Sequence, residues 1–165
     1  MARKSHLHLH KLVTVVGLSC ASIASVHAQS NVEILRDDWG VPHVYSDDVY
    51  GLYAGFGYAV AQDRLFQMEM AKRSVLGTVS EVLGIDRLPY DIQTRANFSH
   101  AEIKAQINQL KPEERSILKG YAAGYNRYVK EVMASPDKLL PKQFSDFGIT
   151  PSTWTDFDVA MIYVG

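Results

Sequence analysis

Only two imidazoles lie beyond residue 28 of this 165-residue chain, His43 and His100, so a hydrolase built on serine, histidine and aspartate would need one of them as its base. His43 sits between Pro42 and Val44 in an alternating, strand-like stretch, where packing or a backbone hydrogen bond is its expected task. His100 falls in the first turn of a helix and reads as surface decoration. Two acidic pairs, Asp37-Asp38 and Asp47-Asp48, offer oxygens to a metal, but neither has the spaced oxygen set of a calcium loop. Turn and helix N-terminal roles are expected of both. His6, His8 and His10 alternate as a ligand set could, yet they fall in a basic leader and are removed with it. Gly55-Phe56-Gly57-Tyr58 lacks the third glycine and the preceding strand of a dinucleotide fingerprint. For Asp63-Arg64 two readings stand side by side: an ion pair or polar tie that fixes register at a desolvation cost, or a solvated face. Asn97-Phe98-Ser99 is a glycosylation triplet whose serine is better explained as a helix cap.

The elements that would position these residues follow from periodicity and caps. Val32–Arg36 and Val41–Tyr45 read as short strands flanking the turn-like Asp37-Asp38-Trp39-Gly40. Ser46 is expected to cap a helix from about Asp47, with Gly51 and Gly55 four apart, marking close approach of another backbone. That helix continues through Leu65, Met68, Ala71 and Val75, with Glu69 one turn before Arg73, and breaks near Gly77. A short helix over Thr78–Leu83 and a connection at Arg87-Leu88-Pro89-Tyr90 come next. Ser99 with Glu102 opens a helix to about Gln109, and Pro112 with Glu113 and Glu114 opens the longest one. Its seam is Ile117, Tyr121, Tyr125, Tyr128 and Val132, widened by Leu118, Ala122, Val129 and Met133. Ser135-Pro136 ends it, an irregular Pro-rich stretch follows to Thr153, and Thr155 with Asp158 starts an apolar helix. That unfinished helix, the tyrosine face and the Gly51/Gly55 stripe are expected to need an external partner.

Three stretches carry more than periodicity. Trp39-Gly40-Val41-Pro42-His43-Val44-Tyr45, Gly57 through Met70 with its Ala61-Gln62-Asp63-Arg64-Leu65 word, and Gly77-Thr78-Val79-Ser80-Glu81-Val82-Leu83-Gly84 closely resemble the start of the small subunit of penicillin G acylases. The likeness continues through Leu140-Pro141-Lys142-Gln143-Phe144 and Phe157-Asp158-Val159-Ala160-Met161-Ile162, so it spans nearly the whole chain beyond residue 30. That family belongs to the N-terminal nucleophile hydrolases. The resemblance implies an α+β fold: an αββα sandwich in the parent, with this segment mainly helical behind a short N-terminal strand pair.

It also implies a periplasmic hydrolase of the side-chain amide of penicillins, typically an arylacetyl amide, whose catalytic serine is the first residue of a large (beta) subunit cut from the same precursor. The serine's own α-amine acts as base through a water, and backbone and asparagine donors hold the oxyanion. Calcium is implied in the parent, bound across the two subunits. The acyl-pocket and calcium residues of the small subunit fall beyond Gly165, so no catalytic, cofactor-binding or metal role passes to a residue present here. An acylase for homoserine lactones or cephalosporin side chains is the nearest alternative, and a stand-alone exported helical binding module is one of a different class.

The N-terminus agrees with export. Arg3, Lys4 and Lys11 precede the apolar run Leu12–Val26, and Val26-His27-Ala28 offers a cleavage site, so residues 1–28 read as a signal peptide and 29–165 as an incomplete small-subunit segment. The run is short for a membrane span, which needs roughly 20 apolar residues; after cleavage no membrane partner is expected. Cys20, the single cysteine, lies in the leader, where Gly17 takes the place a lipid-anchor signal gives to a large aliphatic residue. Beyond Ala28 the chain carries 14 basic and 18 acidic side chains, a formal −4 that argues against a nucleic-acid partner.

Overall fold

The computed structural model describes residues 31–164. The expected leader, the expected cleavage site and Cys20 lie outside the described residues. Two strands, β1 (Val32–Arg36) and β2 (Pro42–Ser46), pair antiparallel with Ile34 opposite Val44. Asp37 makes the turn: its Oδ1 accepts from the N–H groups of Trp39 and Val41, each at 2.9 Å, and its Oδ2 lies 3.2 Å from His43 Nε2. The Val41 N–H and the His43 ring hold its carboxyl below the usual carboxylate range. The turn role expected of Asp37 is therefore met, while His43 serves a side-chain contact to Asp37 in place of packing or a backbone bond.

Helix α1 (Val49–Leu76) is capped by Asp48, whose Oδ1 accepts from Gly51 N–H at 2.6 Å. Ser46, expected as the cap, ends β2 instead, because a carboxylate two residues on is the stronger acceptor at a positive helix end. The helix is not continuous. Arg64 leaves helical geometry at φ −138°, ψ 28°, breaking α1 inside the Gln62-Asp63-Arg64 word. The helix ends at Gly77, whose φ of 65° suits a residue without Cβ and lets its N–H return to the carbonyls of Arg73 and Ser74.

Two short elements follow: α2 (Ser80–Leu83) and a single 3-10 turn at Ile85–Arg87. The next helix, α3 (Leu88–Asn97), occupies the stretch expected to be a connection at residues 87–90. Pro89 stands in its first turn, where the missing N–H costs nothing, and Asp91 adds a negative charge there. Asp91 is 3% exposed and accepts from the N–H groups of Val79 at 2.9 Å and Ser80 at 2.8 Å. Burial raises its carboxyl, but hydrogen bonds from Ser80 and Val79 outweigh it and leave the group below its ordinary 3.8. A depressed acid stabilises the fold above its unfolded value and loses that contribution as pH falls through the lower, folded one. Stability should thus decline below about pH 4, and Asp91→Ala, which strands two N–H groups, should cost about 2 kcal/mol in urea melts at neutral pH and flatten that acid limb.

Helix α4 (His100–Gln109) starts where expected, with Ser99 Oγ accepting from Glu102 N–H, and α5 (Pro112–Ala134) opens on Pro112 with Glu114 bonded back to Lys111 N–H. Two four- to five-residue helices, α6 (Pro136–Leu139) and α7 (Lys142–Asp146), interrupt the stretch expected to be irregular. The last element is α8 (Asp156–Val164). Its capping box is complete: Thr155 N–H donates to Asp158 Oδ2 at 2.6 Å and Asp158 N–H to Thr155 Oγ1 at 3.3 Å.

The core lies between α1 and α5, closed by α8. Tyr125 and Val132 are fully buried, and Trp154 lies on Tyr125 with ring centroids 4.5 Å apart. The tyrosine face expected to need an external partner is largely covered by α1, α8 and the loop before it; of its residues Met133 is exposed. At Gly55 the close neighbours are side chains in place of the expected backbone. Gly55 meets the side chains of Val44 and Val32, whereas a Cβ on Gly57, Gly120 or Gly124 would strike the carbonyl oxygens of Tyr121, Tyr50 and Ala54. Tyr50 against Gly120, Ala54 against Gly124 and Tyr58 against Tyr128 advance together along both helices, so the two axes run side by side in close contact.

Candidate functional site

The densest polar cluster of the described residues ties the loop at 149–155 to α1. Glu69 is 1% exposed, in the second half of α1 beyond the break at Arg64. Its Oε1 accepts from Arg73 Nε at 3.0 Å; its Oε2 accepts from Ser152 N–H at 3.0 Å and from Ser152 Oγ–H at 2.8 Å. Arg73 also reaches Glu81 at 3.0 Å, joining α2 to the cluster. Lys72 donates to Ser152 Oγ at 3.3 Å and Thr153 O at 2.8 Å, and lies 3.5 Å from Asp158 Oδ1. From α5, Asn126 grips Trp154 twice: its amide donates to Trp154 O, and its oxygen accepts from Trp154 N–H, both at 2.8 Å.

A serine beside a lysine invites comparison with a Ser-Lys nucleophile pair. The geometry denies it. Ser152 gives its proton to Glu69, and Lys72 has three acceptors around it, so no lone pair is left to take that proton. Neither do the tyrosines offer a base near neutral pH. Burial and then the hydrogen bond to Glu131 push Tyr58 up to about 12, burial pushes Tyr121 up to about 12, and burial with the Glu69 charge pushes Tyr125 higher still. The cluster is a clamp: it satisfies buried charge with charge and fixes one loop.

The residues singled out from sequence scatter. Asp63 joins Arg36 of β1 in a two-pronged pair at 2.8 and 3.1 Å, with Gln62 Oε1 at 2.7 Å from the same guanidinium. That settles the open choice as a polar tie to another segment, half-exposed and so of modest worth. Arg64 itself is exposed. Glu69 and Arg73 form the expected pair, but the role of Glu69 toward Ser152 was not foreseen. His100 lies edge-on to Phe157 with centroids 5.4 Å apart, more enclosed than surface decoration. Among the described residues no three His, Cys, Asp or Glu side chains converge in a way that could hold a metal ion.

The break at Arg64, the strand pair seated on α1 and the clamped loop before α8 together form one arrangement spanning residues 31–164. The penicillin amidase family model matches that same span. This chain belongs to the penicillin amidase family. It is 54% identical over 138 residues to penicillin G acylase of Escherichia coli, covering 84% of this chain and 16% of that protein. It is 35% identical over 127 residues to the acyl-homoserine lactone acylase PvdQ of Pseudomonas fluorescens (strain Pf0-1), covering 70% and 16%. Among solved structures, the thermostable penicillin G acylase from Alcaligenes faecalis, in tetragonal form, superimposes with a TM-score of 0.80 at 53% identity. The alignment covers 83% of this chain and 72% of that one. The chain thus spans about one sixth of the length of these full-length relatives. The mainly helical segment behind a short strand pair, as expected from the sequence, is the family's arrangement.

Proposed function

We propose that these residues are the N-terminal part of an exported precursor of a penicillin amidase, an enzyme hydrolysing the side-chain amide of penicillins and related arylacetyl amides. The carrying observation is the 54% identity to penicillin G acylase, against 35% to the homoserine lactone acylase. Residues 1–28 would be the signal peptide and 29–165 part of the small subunit. A large subunit from the same precursor would supply the N-terminal serine, which attacks the amide carbonyl, releases the amine and leaves an acyl-enzyme for water to cleave. Calcium, if the parent binds it, would draw its ligands from beyond this segment.

The segment's own contribution is scaffold. Its hairpin rests one face on α1 and leaves Leu35, Tyr45 and Trp39 exposed, Trp39 at 90%. A lone two-stranded sheet is marginal in water, so a partner over that face suits the αββα sandwich of the parent. No described helix is long and apolar enough to cross a membrane, which accords with a periplasmic protein without requiring one.

Expression of the complete gene should give two chains, the smaller beginning at Gln29, and a product that hydrolyses a chromogenic phenylacetyl amide. The 165-residue chain alone should show no turnover above a blank. Turnover by that chain, or a full-length product that cleaves acyl-homoserine lactones and spares phenylacetyl amides, would overturn the assignment.

A further inference from the structure

Where α1 ends, a solvent-open hollow of about 540 Å³ is lined by Leu76, Thr78, Arg95, Phe98, His100 and Phe157. That volume lies within the range of small-molecule sites, roughly 300–1,000 Å³. Its chemistry is one-sided. Leu76, Phe98 and Phe157 make an apolar floor; Arg95 and His100 supply nitrogen donors, and among the described residues no carboxylate lines it. Just outside the lining, Lys104 Nζ stands 4.8 Å from the centroid of the Phe157 ring. Arg95 is anchored through Nε to Gly77 O at 2.8 Å, which fixes the guanidinium at the rim and spends only one of its donors. The Arg95 charge is felt by Asp91, one turn earlier on α3, whose oxygens also accept from the Val79 and Ser80 N–H groups. No ion pair among the described residues involves Arg95, His100 or Lys104. In a segment of formal charge −4 beyond Ala28, a carboxylate-free basic rim over a phenyl floor selects a ligand of opposite sign with an apolar body.

We propose that this hollow binds an amphipathic monocarboxylate, its aryl or alkyl body on Phe98 and Phe157, where Lys104 meets the Phe157 ring, and its carboxylate on the Arg95 guanidinium. The inference goes beyond the hydrolase reading and does not depend on it. The test is calorimetric titration of the intact protein with phenylacetate, alongside Arg95→Gln and Lys104→Gln. If the hydrolase reading also holds, two binding events are expected, one in the catalytic pocket and one here. If that reading fails, a single event is expected, and it is this one. In either case Arg95→Gln should weaken one event about tenfold and Lys104→Gln, an exposed residue that leaves the fold alone, about threefold. Where the hydrolase reading holds, turnover of a phenylacetyl amide should stay unchanged in both variants. Binding indifferent to both substitutions overturns the proposal. So does a wild-type protein with no event beyond the catalytic one, as when another segment of the precursor fills the hollow.

Discussion

Gly124→Ala should cost the fold about 3 kcal/mol or more, against a total stability of about 5–15 kcal/mol for a typical domain. A Cβ at this position would strike the Ala54 carbonyl oxygen and come within 2.7 Å of its carbon and 2.8 Å of Tyr58 N. These are backbone atoms of a packed helix, so they cannot swing aside as a flexible side chain does. Alanine favours helix over glycine by about 1 kcal/mol, which sets the opposing term and is smaller than the overlap it must offset. Gly55→Ala is the matched comparison: its new methyl would meet the side chains of Val44 and Val32 on the thin hairpin, which can give way. The expected result is a lowered unfolding midpoint and a collapsed yield of soluble protein for Gly124→Ala, with a milder loss for Gly55→Ala. Equal losses at the two positions would mean that the α1–α5 backbone contact is not what sets stability.

That contact shows where the sequence was readable and where it was not. Four-residue glycine spacing signals backbone approach, and the inference was drawn for Gly51 and Gly55, but Gly120-Tyr121-Ala122-Ala123-Gly124 carries the same spacing inside the longest helix. At Gly55 the rule found a close approach but not its kind, because spacing says that something comes close without saying whether it is backbone or side chain. Local chemistry was more legible: the Ser99 cap, the Pro112 start and the Thr155–Asp158 box all stand where expected, since each depends on neighbours within four residues. Pairings across long separations had no such signal. Glu69 meets Ser152 over 83 residues, and Asn126 meets Trp154 over 28. The break at Arg64 was hidden as well, for its residues all have ordinary helix propensity and the hairpin's Arg36 draws Asp63 and Gln62 toward β1. As for chemistry, the family resemblance passed no catalytic role to a residue present here, and the clamp accounts for the Ser152–Lys72 contact as structure.

Glu69→Ala should be the most damaging substitution of a charged residue in the segment. The side chain is 1% exposed and accepts three hydrogen bonds, so its removal leaves the Ser152 N–H and hydroxyl without their acceptor and opens a cavity the size of four heavy atoms. Arg73 keeps Glu81, which limits the loss on that side. Breaking one partner of a buried charged cluster costs about 3–5 kcal/mol; with Arg73 partly rescued, the lower end is expected. The damage should also be local. With Ser152 released, residues 149–155 lose one of three anchors, the others being Lys72 to Thr153 and Asn126 to Trp154. Limited proteolysis should then cut within that loop well before global unfolding, while the wild-type loop resists. A double-mutant cycle with Ser152→Ala separates the clamp from simple cavity formation, since residues that bond directly should couple by at least about 1 kcal/mol. Additive losses with an uncut loop would show that Glu69 acts only as buried filler; coupling with early cleavage would establish it as the residue that holds the approach to α8.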